Sequence, residues 1–168
     1  IRHFLRIEEL FPGKPETAAN LGTALELAGY ARQALKWIKI GIKRNRNEHY
    51  GTEWLHAKIL EAKIAKNLGQ WDEGRSIAGV QFSDALVPEV PTSLPPGNDG
   101  RQVKAHELDR AFRYQLHERM TFVPAPDWVV ANLLQDWGTL NLAGGPLENA
   151  KVQYRLAAKY GYPQSPLI

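Results

Sequence analysis

The stretch LGTALELAGYARQALKWIKIG, residues 21–41, decides the fold of this chain. Its first half places Leu21 and Leu25 on one side of a helix, and its second half carries apolar residues at the same helical spacing. Gly29 lies between the two halves, and glycine adopts the left-handed conformation with which many helices end. The stretch therefore predicts a helix, a glycine turn and a second helix.

The same pattern extends over most of the chain. Apolar residues recur at three- and four-residue spacing, whereas β-branched alternation is nearly absent, which predicts an all-α protein of about eight helices. Residues 83–100 are rich in proline, which cannot continue a helix, so we expect one long irregular loop there. The predicted helices span residues 2–10, 16–28, 30–45, 52–68, 70–82, 101–120, 127–143 and 146–160.

The glycine turns recur along the chain, which indicates internal repeats. Gly69 and Gly145 each separate two predicted helices in the way that Gly29 does. Gly22 and Ala34 stand on either side of the first turn. Around the last turn the same frame holds Trp137, Gly138, Ala150, Tyr154 and Ala157.

These offsets resemble those of the tetratricopeptide repeat (TPR). That repeat has small residues at two positions where its helices approach closely, and Gly22 and Ala34 match both. Residues 11–15 and 51–56 also resemble a group of uncharacterised bacterial TPR proteins, a likeness that carries no activity with it. The resemblance implies a right-handed α-solenoid in one domain, residues 1–168, with repeats at about 15–46, 52–82 and 127–161, the loop 83–100 and an additional helix 101–120.

In such solenoids the first helix of each pair lines a concave face, so the resemblance also implies a groove. Its positions carry mixed polar residues, which suit an extended peptide or a helix, although a plain solvated surface explains them as well. Ala19 and Thr23 replace the Lys and Asn with which some members clamp a terminal carboxylate, so we do not expect that activity here. The predicted groove residues are Glu16, Thr23, Glu26, His56, Lys63, Lys66, Asn132, Gln135 and Thr139.

Two predicted helices carry a basic stripe on one face. The spacing i, i+4, i+7, i+11 brings four side chains to the same side of a helix. One interpretation is an anion surface for phosphates, acidic peptides or lipid head groups, and the other is the wet face of an amphipathic helix. The stripes are Arg32, Lys36, Lys39 and Lys43, and His106, Arg110, Arg113 and His117.

The motifs of common enzymes are missing or incomplete. Glu53-x-x-His56 has the spacing of a carboxylate–imidazole metal pair, but a di-iron bundle needs a second such pair and two further glutamates. The chain has no cysteine, which excludes disulfides, thiolate metal sites and cysteine nucleophiles. We therefore predict no catalytic activity, no cofactor and no metal.

The leading hypothesis is a non-catalytic scaffold that binds a protein or extended peptide on its concave face. One alternative is anion or nucleic-acid binding through the basic stripes, although a net charge of +3 is small for a nucleic-acid domain. Another is a structural spacer in a longer chain. In the spacer case residues 83–100 are only a linker, and alternatively this segment folds back and occupies the groove as an internal ligand.

The sequence leaves the compartment open. No run of apolar residues is long enough for a transmembrane segment. Because the chain starts with Ile1 and not with Met, we expect a fragment or a processed form. The default expectation is the cytoplasm, and an exported protein stays an alternative because a signal peptide would lie outside this sequence.

Overall fold

A computed structural model describes residues 1–163, so residues 164–168 of the predicted domain lie outside the described residues. From residue 1 to residue 163 the chain forms seven α-helices, one short 3-10 helix and no β-strand, which confirms the all-α prediction. None of these helices is both long enough and apolar enough to cross a membrane. The elements are α1 (Arg2–Leu10), α2 (Pro15–Leu27), α3 (Ala31–Arg44), the 3-10 helix (Glu48–Gly51), α4 (Glu53–Asn67), α5 (Ala105–Phe122), α6 (Trp128–Gly144) and α7 (Leu147–Lys159).

The backbone contacts divide the chain into two compact units. Unit 1 comprises residues 1–73 together with 97–101, and it contains α1 to α4. Unit 2 comprises residues 74–96 and the chain from residue 102 onward, and it contains α5 to α7. The predicted single domain and its solenoid arrangement stay predictions.

The first predicted turn has the expected glycine conformation. Gly29 has φ of +85°, and the N–H of Tyr30 donates to the carbonyl of Leu25 at 2.9 Å. This hydrogen bond closes the end of α2 in the Schellman pattern, which needs a left-handed residue just past the helix. Gly69 has φ of +67° and ends α4 in the same way.

Helices α2 and α3 of unit 1 form a tight hairpin. A Cβ atom on Gly22 would lie 2.5 Å from Cδ1 of Ile38 and 3.4 Å from the carbonyl oxygen of Ala34, so only glycine permits this approach. The close contact of Gly22 and Ala34 confirms the close helix approach that these small residues predict. The buried core of this part of the unit contains Leu21, Leu25, Ala34, Ile38, Ala57 and Leu60, so α4 packs against the same hairpin.

Helices α6 and α7 of unit 2 form a second hairpin with the same contact. A Cβ on Gly138 would lie 2.9 Å from the ring of Tyr154, and both Tyr154 and Ala150 are buried. Gly138, Ala150 and Tyr154 follow one another at the same intervals as Gly22, Ala34 and Ile38. The internal repeat therefore corresponds to a repeated close contact between two helices, at Gly22 in unit 1 and at Gly138 in unit 2.

The turn between α6 and α7 differs from the other two. Gly145 has φ of −112° and not a left-handed value, and its N–H donates to the carbonyl of Asn141 at 2.7 Å. The reason is Pro146, which has no N–H to make the second Schellman hydrogen bond and restricts the residue before it to extended backbone. Pro146 precedes the helix instead of forming its first position.

The predicted helix 70–82 is absent, so the predicted repeat 52–82 keeps only its first helix, α4. Two glycines weaken this segment, each by about 1 kcal/mol relative to alanine. Gly79 adopts φ of +78°, which a right-handed helix does not contain. The segment 70–82 is therefore irregular.

Side chains supply the hydrogen bonds that a helix would have made there. Oγ of Ser76 accepts the N–H groups of Gly79 and Val80, each at 3.0 Å. The N–H of Ile77 donates to Oδ1 of Asn132 at 2.9 Å. Serine and asparagine side chains compete with helical hydrogen bonding in this way.

The Gly22 contact predicts a clear stability effect. Gly22→Val should lower the free energy of unfolding by about 2 kcal/mol, because the added methyl groups overfill the contact with Ile38. Asn20→Val is the control, since Asn20 is exposed on the same helix and the change has the same β-branched side chain. Urea unfolding measures both.

A second change distinguishes overfilling from a general loss of helix stability. In the Gly22→Val background, Ile38→Ala should cost less than it costs in the wild-type protein, because the vacated space accepts the new side chain. Equal costs in the two backgrounds would contradict the contact.

Candidate functional site

Three of the predicted groove residues contact one another in unit 1. Nε2 of His56 donates to Oε2 of Glu26 at 2.6 Å, and Nζ of Lys63 donates to Oε1 of the same carboxylate at 2.6 Å. Glu26 and His56 are buried, and Lys63 is partly exposed. Glu26 on α2 therefore bridges His56 and Lys63, which lie on the same face of α4.

The contacts continue through two further residues. Nδ1 of His49 donates to Oε1 of Glu53 at 2.6 Å, and Nδ1 of His56 lies 3.6 Å from Oε2 of Glu53. His56 thus presents both ring nitrogens to carboxylate oxygens, but only Nε2 is within hydrogen-bond distance, and the contact of Nδ1 with Glu53 is electrostatic. We call His49, Glu53, His56, Glu26 and Lys63 the α2–α4 polar network.

The two histidines of this network offset the free-energy cost of burying the Glu53 carboxylate in its charged form. Burial by itself raises the pKa of Glu53, but the interactions with His49 and His56 outweigh it and lower the pKa to about 2. The Glu53 side chain is only 3% exposed. The network therefore holds an ionised carboxylate inside the protein.

Local backbone geometry brings His49 to Glu53. His49 and Tyr50 have φ of +49° and +58°, left-handed values that non-glycine residues seldom adopt. Thr52 stabilises this turn, since its hydroxyl donates to the carbonyl of His49 at 2.8 Å. Asn98 connects the turn to α4, because its Oδ1 accepts the N–H of Trp54 at 2.7 Å.

The Glu53-x-x-His56 pair belongs to this hydrogen-bonded network. In residues 1–163 no group of three or more histidine, aspartate or glutamate side chains is placed to hold a metal ion together. The arrangement can exchange protons between carboxylate and imidazole groups, and it ties α2 to α4.

The remaining groove residues of unit 1 lie nearer the surface. Glu16 is exposed, and the hydroxyl of Thr23 donates to the carbonyl of Ala19 at 3.2 Å. Nζ of Lys66 donates to Glu73 at 2.6 Å in an exposed ion pair, which contributes little to stability. These three residues are therefore more exposed than the network, in which Oε2 of Glu53 alone is buried without a hydrogen-bond partner among the described residues.

In unit 2 the side chains of two predicted groove residues, Asn132 and Thr139, hydrogen-bond to their own chain, whereas Oε1 of Gln135 is buried without a hydrogen-bond partner among the described residues. Asn132 accepts from the N–H of Ile77, and its Nδ2 donates to the carbonyl of Arg75 at 3.0 Å. The hydroxyl of Thr139 donates to the carbonyl of Gln135 at 2.9 Å. The side chain of Asn132 thus makes its hydrogen bonds with the backbone of residues 75–77, inside the segment that was predicted to be helical.

Sequence reasoning missed Asp136, a half-buried carboxylate on α6. The hydroxyl of Ser76 donates to its Oδ2 at 2.6 Å. Burial raises the pKa of Asp136 to about 7, against the smaller lowering effect of that hydrogen bond. No local signal identifies this pair, because Ser76 lies in another part of the sequence from α6.

The two basic stripes lie on exposed helix faces, as both of their interpretations require. Nζ of Lys39 lies 3.0 Å from Glu61, and Arg113 lies 2.8 Å from Asp109. The other members form no ion pair with the residues that the structure describes. These are Arg32, Lys36, Lys43, His106, Arg110 and His117.

Comparison of the chain with protein-family models, with curated proteins and with solved structures found no match in any of the three. The function is therefore argued from the geometry of the two units.

Glu53 predicts a loss of stability in acid. Its pKa is lower in the folded protein than its ordinary value of 4.5, so its stabilising effect is complete above pH 4.5 and is lost as the pH falls towards about 2. Glu53→Gln should remove about 3 kcal/mol of this pH dependence. Urea unfolding at a series of pH values measures it.

The control for this change is Glu61→Gln, because Glu61 is a glutamate on the same helix with an exposed ion pair. Its curve of unfolding free energy against pH should run parallel to that of the wild type. If Glu53→Gln also gives a parallel curve, the network does not hold the Glu53 carboxylate ionised.

Asp136 predicts the opposite dependence. Because its pKa is raised from 3.8 to about 7, the folded protein keeps a proton that the unfolded chain releases, and stability falls as the pH rises from about 4 to 7. Asp136→Asn should raise the free energy of unfolding by about 2 kcal/mol at pH 8 and have a smaller effect at pH 4. Asp84→Asn, in an exposed loop position, should change neither. An effect of Asp136→Asn that is the same at both pH values would exclude a raised pKa.

Proposed function

We propose that the chain is a non-catalytic interaction module of TPR-like helix pairs that holds an extended peptide or a helix of a partner protein. The support comes from unit 1, where α4 packs against both members of the α2–α3 hairpin. Side chains of α2 and α4, the first helices of two successive pairs, thereby meet. A concave face in unit 1 requires contact of this kind between the first helices of successive pairs.

The single observation that carries the proposal is the bridge from Glu26 to His56 and Lys63. These residues come from two first helices and were expected on one surface because of the repeat frame alone, and hydrogen bonds of 2.6 Å join them. A network of this kind fixes the positions of neighbouring side chains before a partner arrives. Such preorganisation lowers the ordering cost of binding.

The groove of the proposal is the surface around this network, with Glu16, Thr23 and Lys66 at its accessible positions. Glu16 and Lys66 carry opposite charges, so the groove suits a peptide with both acidic and basic residues. The buried carboxylates have partners within the protein and serve as the base of the groove.

Anion binding is a second candidate function. It is favoured by the exposure of all eight residues of the basic stripes and by the six that form no ion pair with the described residues. Phosphate contacts release counterions, so binding by this route would weaken steeply with added salt.

Selection from a random peptide library against the full chain tests the groove. Peptides that bind should lose about tenfold in affinity to a variant with both Glu16→Lys and Lys66→Glu, because the charge pattern of the groove is reversed at constant net charge. Fluorescence anisotropy measures the dissociation constants.

The matched control combines Glu148→Lys with Lys151→Glu, the same exchange on the exposed side of α7. It should leave the affinity of the selected peptides unchanged. The groove would be overturned by a selection that yields no peptide. It would also be overturned by peptides that bind the wild-type protein and the variant with Glu16→Lys and Lys66→Glu with equal affinity.

A further inference from the structure

Unit 1 contains a cleft between the start of α3 and the end of α4. Its volume is about 300 Å³. Two of its apolar side chains, Tyr30 and Leu68, are each 52% exposed although they are large. The lining residues include Tyr30, Arg32, Gln33, Ile64, Asn67 and Leu68.

The basic face of α3 begins at this cleft. Arg32 lines the cleft and is also the first of the four basic residues at helical spacing. Lys39, further along, lies 3.0 Å from Glu61 of α4, so this face of α3 borders α4. Arg32, Lys36 and Lys43 are exposed and form no ion pair with any residue from 1 to 163.

We propose that this cleft and the basic face of α3 together bind an acidic peptide segment of a partner protein. One large apolar side chain of the segment enters the cleft between Tyr30 and Leu68. Its acidic residues lie along α3 and pair with Arg32, Lys36 and Lys43. The cleft supplies specificity, and the charges supply attraction over a longer range.

The geometry favours a peptide over a nucleic acid. Glu61 interrupts the positive face, which disfavours a continuous phosphate backbone, whereas a peptide can place a neutral residue there. Tyr30, Ile64 and Leu68 form the apolar part of the lining, which fits an aliphatic or aromatic side chain. The net charge of +3 is also low for a phosphate-binding domain.

The spacing of the charges sets the length of the segment. A helix rises about 1.5 Å per residue, so Arg32 and Lys43 are about 16 Å apart along α3. An extended peptide spans that distance with about five residues, at about 3.3 Å each. One anchor residue and a short acidic run are therefore sufficient.

Fluorescence anisotropy with a defined probe tests the proposal. The probe is a fluorescein-labelled peptide of one leucine, three glutamates, one serine and two glutamates, so that a neutral residue can lie opposite Glu61, and it is used together with the reversed sequence because the direction of binding is open. At least one of the two should bind the full chain. Replacing its leucine by alanine should weaken binding about fivefold or more, because the buried anchor is lost.

Variants of the protein locate the site. Arg32→Glu with Lys36→Glu should weaken binding about tenfold or more, and Leu68→Asn should remove the preference for leucine over alanine. Lys151→Glu with Arg155→Glu is the matched control, since it reverses two exposed charges on α7 and should change nothing. Circular dichroism checks that each variant is as helical as the wild type.

Three results would overturn the proposal: no binding of either peptide, equal binding of the leucine and alanine forms, or tighter binding of a single-stranded oligothymidine with the same charge. The last would assign the face to nucleic acid. The proposal deepens the interaction function above but uses other residues. A failure of the Glu16 and Lys66 test therefore leaves it standing, and its own failure leaves the groove standing.

Discussion

The close approach of α2 and α3 at Gly22 is the constraint on which the rest of unit 1 depends. With no side chain on Gly22, Ile38 fills the space between the two helices, and the pair presents one apolar surface to α4. Because α4 packs on that surface, its polar side comes beside α2 and His56 reaches Glu26. The polar network is therefore a consequence of apolar packing.

The hairpins could be predicted from the sequence because their causes are local. Helical periodicity and small residues at fixed offsets act within one pair of helices, and Gly138 repeats in unit 2 what Gly22 does in unit 1. The prediction of a helix over residues 70–82 was wrong for a non-local reason. Ile77 is held by Asn132, a residue far along the chain, and helical spacing contains no information about such a partner.

The sequence predicted that Glu26, His56 and Lys63 share one surface, but not their burial or their hydrogen bonds. The repeat frame placed Glu26, His56 and Lys63 on one surface, yet it gave no indication that they would be buried against one another. Charge balance depends on which side chains meet in space, and Glu53 shows the consequence. Its spacing to His56 alone is typical of a metal pair, whereas with His49 added it is an ionised carboxylate between two imidazoles.

Charged side chains with partners inside the protein stabilise its structure, whereas exposed charges without an ion pair are available for a binding partner. Glu26 and Glu53 already have partners, and removing those partners to bind a ligand would expose the full cost of burying a charge. Arg32, Lys36 and Lys43 form no ion pair with the described residues, and Arg32 also lines the cleft beside the exposed side chains of Tyr30 and Leu68. A partner that neutralises them and fills the cleft gains both electrostatic and hydrophobic free energy at little cost to the fold. On the proposed function, recognition in unit 1 therefore depends on its exposed charges, while the buried network joins α2 to α4.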